Sequence, residues 1–412
     1  MPEYISNNQN YFALTGAEAA AEAMRQIEPG VVPVYPITPQ TPIIEEFANY
    51  VAAGNVKTEI ITTESEHSAM SAAIGAAAAG SRTMTATSSV GLALMYEMLN
   101  IASGMRLPIV MNVANRALSS PINIHCDHSD TMGVRDSGWI QVYCETAQEV
   151  YDYNILAVRL AEHSDILLPT MVMQDGFVTS HLLERMEIIP NDDVKKFVGD
   201  YKYPNSLLGD KTGLTFGALM LPEYFFEAKV AQHQAFEKSK QVYKEIASEL
   251  EKITGRNYAE IELYGVDEKT EGVIITMSSA AGTAKEVARR INKKGGKVGV
   301  VKIRLFRPFP YAELGAVIKN ITNIAVLDRT FSFGSFPPLY SEVIQTLNIM
   351  NGSRLPVSEH GAGSGRDDNK LVQSYVFGLG GRDLREKDIK EVYADILGNK
   401  FTPEIKFLNL KH

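Results

Sequence analysis

Cysteine is nearly absent: 412 residues hold only Cys126 and Cys144. Two thiols cannot build a disulfide framework, and the pair lacks Cys-x-x-Cys spacing. An iron–sulfur cluster takes more thiolates than this chain can offer by itself. Long apolar runs are missing as well. No stretch approaches the roughly 18 consecutive apolar residues of a membrane span, so no membrane is expected among the partners. Residues 1–10 contain no basic segment followed by an apolar one, and no signal peptide is expected. With so little cysteine, this points to a reducing, cytoplasmic compartment. Positive charge is not in excess either. A net charge of −9 lacks the basic footprint that a nucleic-acid surface requires.

What is present is 45% hydrophobic residues, enough at this length to bury cores in about two or three domains. Thr15-Gly-Ala-Glu18 is a capping box before an Ala-rich helix to about Ile27. Val31–Tyr35 reads as a short buried strand, ended by Tyr35-Pro-Ile-Thr-Pro39, whose prolines force an extended bend. Thr38 is then a candidate N-cap for a helix over Pro42–Tyr50, a role compatible with a ligand contact. Val56–Thr62 reads as a second strand, followed by Thr63-Glu-Ser-Glu66-His-Ser-Ala-Met70 and an apolar helix over Ala69–Gly80. Glu66 therefore falls at the carboxyl end of a strand, where open α/β sheets bind ligands; a helix-capping carboxylate is the alternative.

The rhythm repeats. Arg82–Thr87 is a strand before the polar turn Thr87-Ser-Ser89 and a helix over Gly91–Gly104; Leu107–Val113 is a strand delivering Asn115-Arg116-Ala117; Ile166–Met173 is a fifth strand, before Gln174-Asp-Gly176. Such alternation implies a parallel sheet with crossover helices. Thr38, Glu66, Ser88 and Arg116 then line one rim. Between the last two strands lie His125, Asp127, His128 and Asp130, whose residue types suit a metal-dependent hydrolase. No His-x-x-x-His spacing supports that reading, and a polar loop over 121–138 that gates the site is preferred. Trp139, the sole tryptophan, should anchor that loop on the core.

Residues 186–222 read as irregular. A charged helix over Glu223–Ile253 follows, with Tyr243, Ile246, Leu250 and Ile253 on one stripe and Gly255 beyond its end. A second α/β unit begins near Gly265, with strands over Gly272–Met277, Lys297–Ile303 and Ile324–Leu327 and a helix over Thr283–Lys293. The turn Ser278-Ser-Ala-Ala-Gly282 could receive an anion at a helix N-terminus. It lacks a Walker lysine and the dinucleotide pattern. The glycines of His360–Gly365 and Gly378–Gly381 read as turn residues.

Tyr35-Pro-Ile-Thr-Pro39, Glu64-Ser-Glu-His-Ser-Ala-Met-Ser71, Asn115-Arg-Ala-Leu-Ser119, Asp136-Ser-Gly-Trp-Ile140 and Tyr375-Val-Phe-Gly-Leu-Gly-Gly-Arg-Asp383 together resemble the α subunits of the 2-oxoacid:ferredoxin oxidoreductases, most closely the pyruvate:ferredoxin enzymes. The resemblance covers nearly the whole chain. It implies an α/β fold: a pyrimidine-type thiamine-diphosphate-binding domain over 1–235, a helical linker over 236–263 and a transketolase C-terminal-like domain over 264–412. It also implies oxidative decarboxylation of pyruvate with coenzyme A to acetyl-CoA and carbon dioxide, with electrons passed to ferredoxin. Branched-chain 2-oxoacids or 2-oxoglutarate are the alternative substrates.

By the same resemblance Glu66 matches the catalytic, cofactor-binding glutamate that hydrogen-bonds the aminopyrimidine and favours its imino tautomer. Thr38 and Arg116 match residues that hold the substrate carboxylate, and an arginine can grip it bidentately. The Gly-Asp-Gly motif that binds the diphosphate's metal is missing, Gly209-Asp210-Lys211 being the nearest string. The chain should thus supply half a site and no metal ligand. The diphosphate domain with Mg2+ is expected on a β subunit, and iron–sulfur clusters on the β, γ and δ subunits of a hetero-oligomer. A non-catalytic scaffold, with Glu66 only a cap, is the remaining alternative.

Overall fold

Thr15 caps the first helix as its sequence predicts: Thr15 Oγ1 accepts from Glu18 N at 3.2 Å, and Thr15 N donates to Glu18 Oε2 at 2.7 Å. A computed structural model describes residues 11–210, 213, 215–350 and 370–411. The glycines of 360–365 lie outside them.

The first part of the chain runs β1 (Tyr11–Leu14), α1 (Gly16–Ile27), β2 (Val31–Val34), α2 (Thr41–Ala52), β3 (Glu59–Thr62), α3 (Glu66–Ala78), β4 (Met84–Thr87), α4 (Ser89–Leu94), α5 (Tyr96–Gly104), β5 (Val110–Asn115), α6 (Ser129–Gly133), β6 (Ile140–Cys144), α7 (Ala147–Ala161) and β7 (Thr170–Asp175). Strands β4, β5, β6 and β7 are buried throughout, as parallel strands covered on both faces must be. Their order is β6-β7-β5-β4, all parallel. The parallel pair β2–β3 continues this row through a parallel bridge between Val31 and Thr83. The carboxyl ends of β3, β2, β4 and β5 therefore stand side by side. Helix α3 packs closely because the residues it buries, apart from Glu66 at its start, are Ala69, Met70, Ala73, Ala77 and Ala78.

Several elements depart from the sequence reading. The apolar run over 91–104 is broken into α4 and α5 at Met95. Thr38 is not a helix cap: α2 starts later, with Gln40 at its N-cap and Pro42 in its first turn. Residues 186–222 are not wholly irregular, since β8 (Glu184–Glu187) pairs antiparallel with β1 and α8 (Asn191–Val198) follows. Trp139 is fully buried, and its Nε1 donates to Leu99 O at 2.9 Å.

Helix α9 (Pro222–Thr254) runs unbroken for 33 residues and ends at Gly255, whose φ of +73° favours glycine. It buries Val242, Tyr243, Ile246 and Leu250, while Ile253 faces solvent. The second unit contains β9 (Ile261–Tyr264), β10 (Gly272–Met277), α10 (Ala280–Asn292), β11 (Val298–Ile303), β12 (Leu305–Arg307), α11 (Tyr311–Ile318), β13 (Asn323–Asp328), α12 (Pro338–Met350), β14 (Leu371–Val376), α13 (Glu386–Leu397) and β15 (Lys406–Phe407). Its sheet has the order β15-β14-β13-β10-β11-β9. Strand β12 leaves that unit and pairs antiparallel with β6, closing the edge of the first sheet. Among the described residues no helix is long and apolar enough to cross a membrane.

Candidate active site

Glu66 is the first residue of α3, directly after the chain leaves β3. The capping role is already filled by its neighbour: Ser65 Oγ accepts from Ser68 N at 3.2 Å. Glu64 is exposed and accepts from the Ser68 hydroxyl, which lowers its pKa. Glu66 is only 6% exposed, and among the described residues its carboxylate has no hydrogen-bond or ion-pair partner. A nearly buried carboxylate left unpaired is costly unless something else completes it. At the neighbouring strand end the hydroxyls of Thr87 and Ser88 are also buried without partners among the described residues. A Cβ at Gly91 would stand 2.7 Å from both Glu66 Oε1 and Thr87 Oγ1, so only glycine lets α4 pass this close. The Glu66 carboxylate and the Thr87 hydroxyl thus approach one point where β3 and β4 end, with the Ser88 hydroxyl on the next residue of the chain.

Thr38 and Arg116 meet on the same rim. Arg116 Nη1 donates to Thr38 O at 2.9 Å, and its Nε donates to Asn123 O at 3.1 Å. Its Nη2 and the Thr38 hydroxyl have no partner among the described residues. Asp130 links this arginine to the Glu66 side of the rim. Its Oδ2 accepts from Ser89 N and Arg116 N, each at 3.0 Å, and its Oδ1 from Asn115 Nδ2 and Thr131 N, each at 2.8 Å. Burial pushes the Asp130 carboxyl up to about 6 against these hydrogen bonds.

The four residues of the hydrolase reading do not converge on a point. Asp130 is spent on the rim, and Asp127 accepts from Ser129 N at 3.0 Å. His125 is exposed and lies against Phe177, ring centroids 5.1 Å apart. His128 Nε2 is 2.7 Å from Asp175 Oδ1, fully buried. Cys126, His128 and Asp175 lie close enough to share an ion, but a cation is already there: Arg329 Nη1 donates to Asp175 Oδ2 at 2.9 Å. Burial alone would raise the Asp175 carboxyl; Arg329 and His128 hold it far below the usual range. The other such cluster, Glu145, Glu149 and Glu262, is likewise filled by Lys285, Lys302 and Arg304.

The anion expected at the 278–282 turn is an internal one. Ser279 N and Oγ both donate to Asp175 Oδ2, so that helix start serves to join the two units. Sequence reading passed over Asp175, because its partners lie 47, 104 and 154 residues away.

Residues 22–248 match the model of the pyruvate flavodoxin/ferredoxin oxidoreductase thiamine-diphosphate-binding domain, and 270–389 that of pyruvate:ferredoxin oxidoreductase core domain II. The chain belongs to the pyruvate flavodoxin/ferredoxin oxidoreductase family. Pyruvate synthase subunit PorA of Thermotoga maritima is 50% identical over 400 residues, covering 97% of this chain and 98% of that one. The corresponding subunit of Methanocaldococcus jannaschii is 43% identical over 381 residues, 92% of this chain and 93% of that one. Ketoisovalerate oxidoreductase subunit VorA of Pyrococcus abyssi is 39% identical over 402 residues, 97% of each chain. Among solved structures, a 2-oxoglutarate:ferredoxin oxidoreductase from Magnetococcus marinus superposes with a TM-score of 0.68 at 18% identity, covering 95% of this chain and 66% of that one. A split-gene transketolase gives 0.51 at 13% identity, over 94% and 99%. In this family member the fold is therefore a thiamine-diphosphate-binding domain followed by a transketolase-like α/β unit.

Proposed function

We propose that this chain is the α subunit of a pyruvate:ferredoxin oxidoreductase, with Glu66 as the cofactor-contacting catalytic carboxylate and Thr38 and Arg116 as the substrate-carboxylate site. The reaction takes pyruvate and coenzyme A to acetyl-CoA and carbon dioxide and passes two electrons to ferredoxin. The observation that carries this reading is the unpaired, nearly buried Glu66 carboxylate beside the unpaired hydroxyls of Thr87 and Ser88. Such a set suits a heterocycle that offers N–H groups, and the aminopyrimidine of thiamine diphosphate is one. Thiamine diphosphate, when bound, supplies the carbanion chemistry that decarboxylation needs. Glu66 then holds a proton against a ring nitrogen of that group. Arg116, steadied by Thr38 O and Asn123 O, offers Nη2 to the substrate carboxylate, and Thr38 offers its hydroxyl.

Among the described residues of this rim no group of metal-ligating side chains is found. The diphosphate, its Mg2+ and a proximal cluster belong in this reading to a β subunit, and further clusters to γ and δ subunits, all cytoplasmic. Val90, Leu94 and Tyr96 lie exposed on α4 and α5, an apolar surface suited to a partner subunit. The 50% identity to a pyruvate synthase subunit, against 39% to a ketoisovalerate one, favours pyruvate.

The test is purification of the native complex followed by assay of acyl-CoA formation, as acetyl-CoA from pyruvate, isobutyryl-CoA from 3-methyl-2-oxobutanoate and succinyl-CoA from 2-oxoglutarate. Thiamine diphosphate, magnesium and iron should travel with the complex, and pyruvate should have the highest kcat/KM. A chain that purifies alone and active, or that prefers the branched oxoacid, overturns the corresponding part of this reading.

A further inference from the structure

Arg116 belongs to the first unit, yet the group that steadies its Nε is held from the second. Asn123 O accepts from Arg116 Nε at 3.1 Å. The side chain of the same Asn123 donates through Nδ2 to Gly380 O at 3.1 Å and accepts from His125 N through Oδ1 at 2.7 Å. Gly380 sits in the turn after β14, and that turn grips the loop repeatedly. Gly381 N donates to Cys126 O at 2.7 Å, and Gly380 N reaches Asp127 Oδ2 at 3.4 Å. The turn is itself fixed from behind, Arg329 Nε donating to Gly378 O at 3.2 Å.

The turn's composition follows from this approach. Gly378, Gly380 and Gly381 have φ of +65°, +59° and +79°, a region that side chains other than glycine's rarely adopt. A Cβ on Gly380 would lie 2.4 Å from Asn123 Nδ2, and one on Gly381 would lie 2.3 Å from His125 Cβ. Glycine is required both for the backbone conformation and for contact with the loop.

We propose that the Gly378–Gly381 turn and Asn123 are positioning residues for the oxoacid site, so that the second α/β unit sets substrate affinity by aiming the Arg116 guanidinium. This rests on the reading that Arg116 holds the substrate carboxylate. A displacement of about 1 Å at such a group is enough to weaken a reaction severely, and the loop has no other side-chain tie to the turn than Asn123 and Asp127 among the described residues.

The experiment uses the assembled enzyme with Asn123→Asp, Gly381→Ala, Arg116→Lys and the Asn123→Asp/Arg116→Lys double variant. Asn123→Asp keeps the acceptor for His125 N but sets a carboxylate oxygen against Gly380 O. It should raise KM for the 2-oxoacid about tenfold, with kcat and KM for coenzyme A changed by less than about twofold, and Gly381→Ala should do the same. In the Arg116→Lys background, Asn123→Asp should add little, because coupled neighbours are not additive. If Gly381→Ala fails to assemble, Asn123→Asp decides alone. An unchanged KM in Asn123→Asp, with Arg116→Lys raising it, overturns this inference and leaves the Arg116 assignment standing, as does a full additive effect in the double variant. An unchanged KM in Arg116→Lys removes the assignment, and the inference with it.

Discussion

Replacing one carboxylate oxygen of Glu66 by an amide leaves volume and burial intact while removing the charge and one acceptor. Because Ser65 already caps α3, Glu66→Gln should not disturb the helix, and the melting temperature of the assembled enzyme should stay within about 2 °C. Acetyl-CoA formation should fall by roughly 100-fold or more, the scale of a lost proton-handling group. A loss below twofold would make Glu66 structural after all. Arg116→Lys keeps the charge but gives up the fork that reaches Thr38 O, Asn123 O and an incoming carboxylate together. It should raise KM for pyruvate by about tenfold, in line with a lost charged hydrogen bond, and steady-state kinetics over a pyruvate series would read this directly.

At the scale of elements, the end of β13 carries a group that couples folding to pH. Asp328 accepts from Leu339 N at 2.8 Å and Tyr340 N at 3.1 Å, at the start of α12. Burial pushes its carboxyl up to about 7, against those hydrogen bonds and the nearby His128. A free aspartate titrates near 4, so between about pH 4 and 7 the folded chain holds a proton that the unfolded chain has lost. Stability from this group is complete below pH 4 and declines as pH rises toward 7. Asp130 and Asp152, each pushed up to about 6 by burial, act in the same direction. Asp328→Asn should therefore flatten, without abolishing, the fall in stability measured by urea melts from pH 5 to 7.5. A slope identical to wild type would place the proton elsewhere.

Strands β2, β3, β4, β5, β7, β10, β11 and β13 were legible because each is a short apolar run between polar turns, and Glu66, Thr38 and Arg116 stand shortly after such runs. Strands β1, β6, β8, β9, β12, β14 and β15 were missed; in β6, Gln141 and Tyr143 blur the apolar character of the run. The break at Met95 leaves no mark in the apolar periodicity, and the start of α2 was read to within one residue although its cap is Gln40 rather than Thr38.

Across the whole molecule the two units are joined by charge. Lys302 is 1% exposed and pairs with Glu145, Glu149 and Glu262 at 2.6 to 2.7 Å. Burial would lower its pKa, but these carboxylates keep it charged. Lys302→Met should leave the carboxylates undercompensated and cost on the order of 3 kcal/mol, read as a shifted denaturation midpoint; a shift below about 0.5 kcal/mol would mean that Lys285 and Arg304 suffice. A second bond between the units has a consequence during synthesis. Strand β12 completes the first sheet from the far side of α9, β9, β10, α10 and β11. While the ribosome makes those elements, the outer edge of β6 stands bare, a row of unsatisfied amides beside apolar side chains. Premature termination anywhere in that interval releases a chain with an open sheet edge, which favours aggregation. A pulse-labelled fragment ending at Thr254 should be recovered with chaperones or in the pellet, whereas the full-length chain should not.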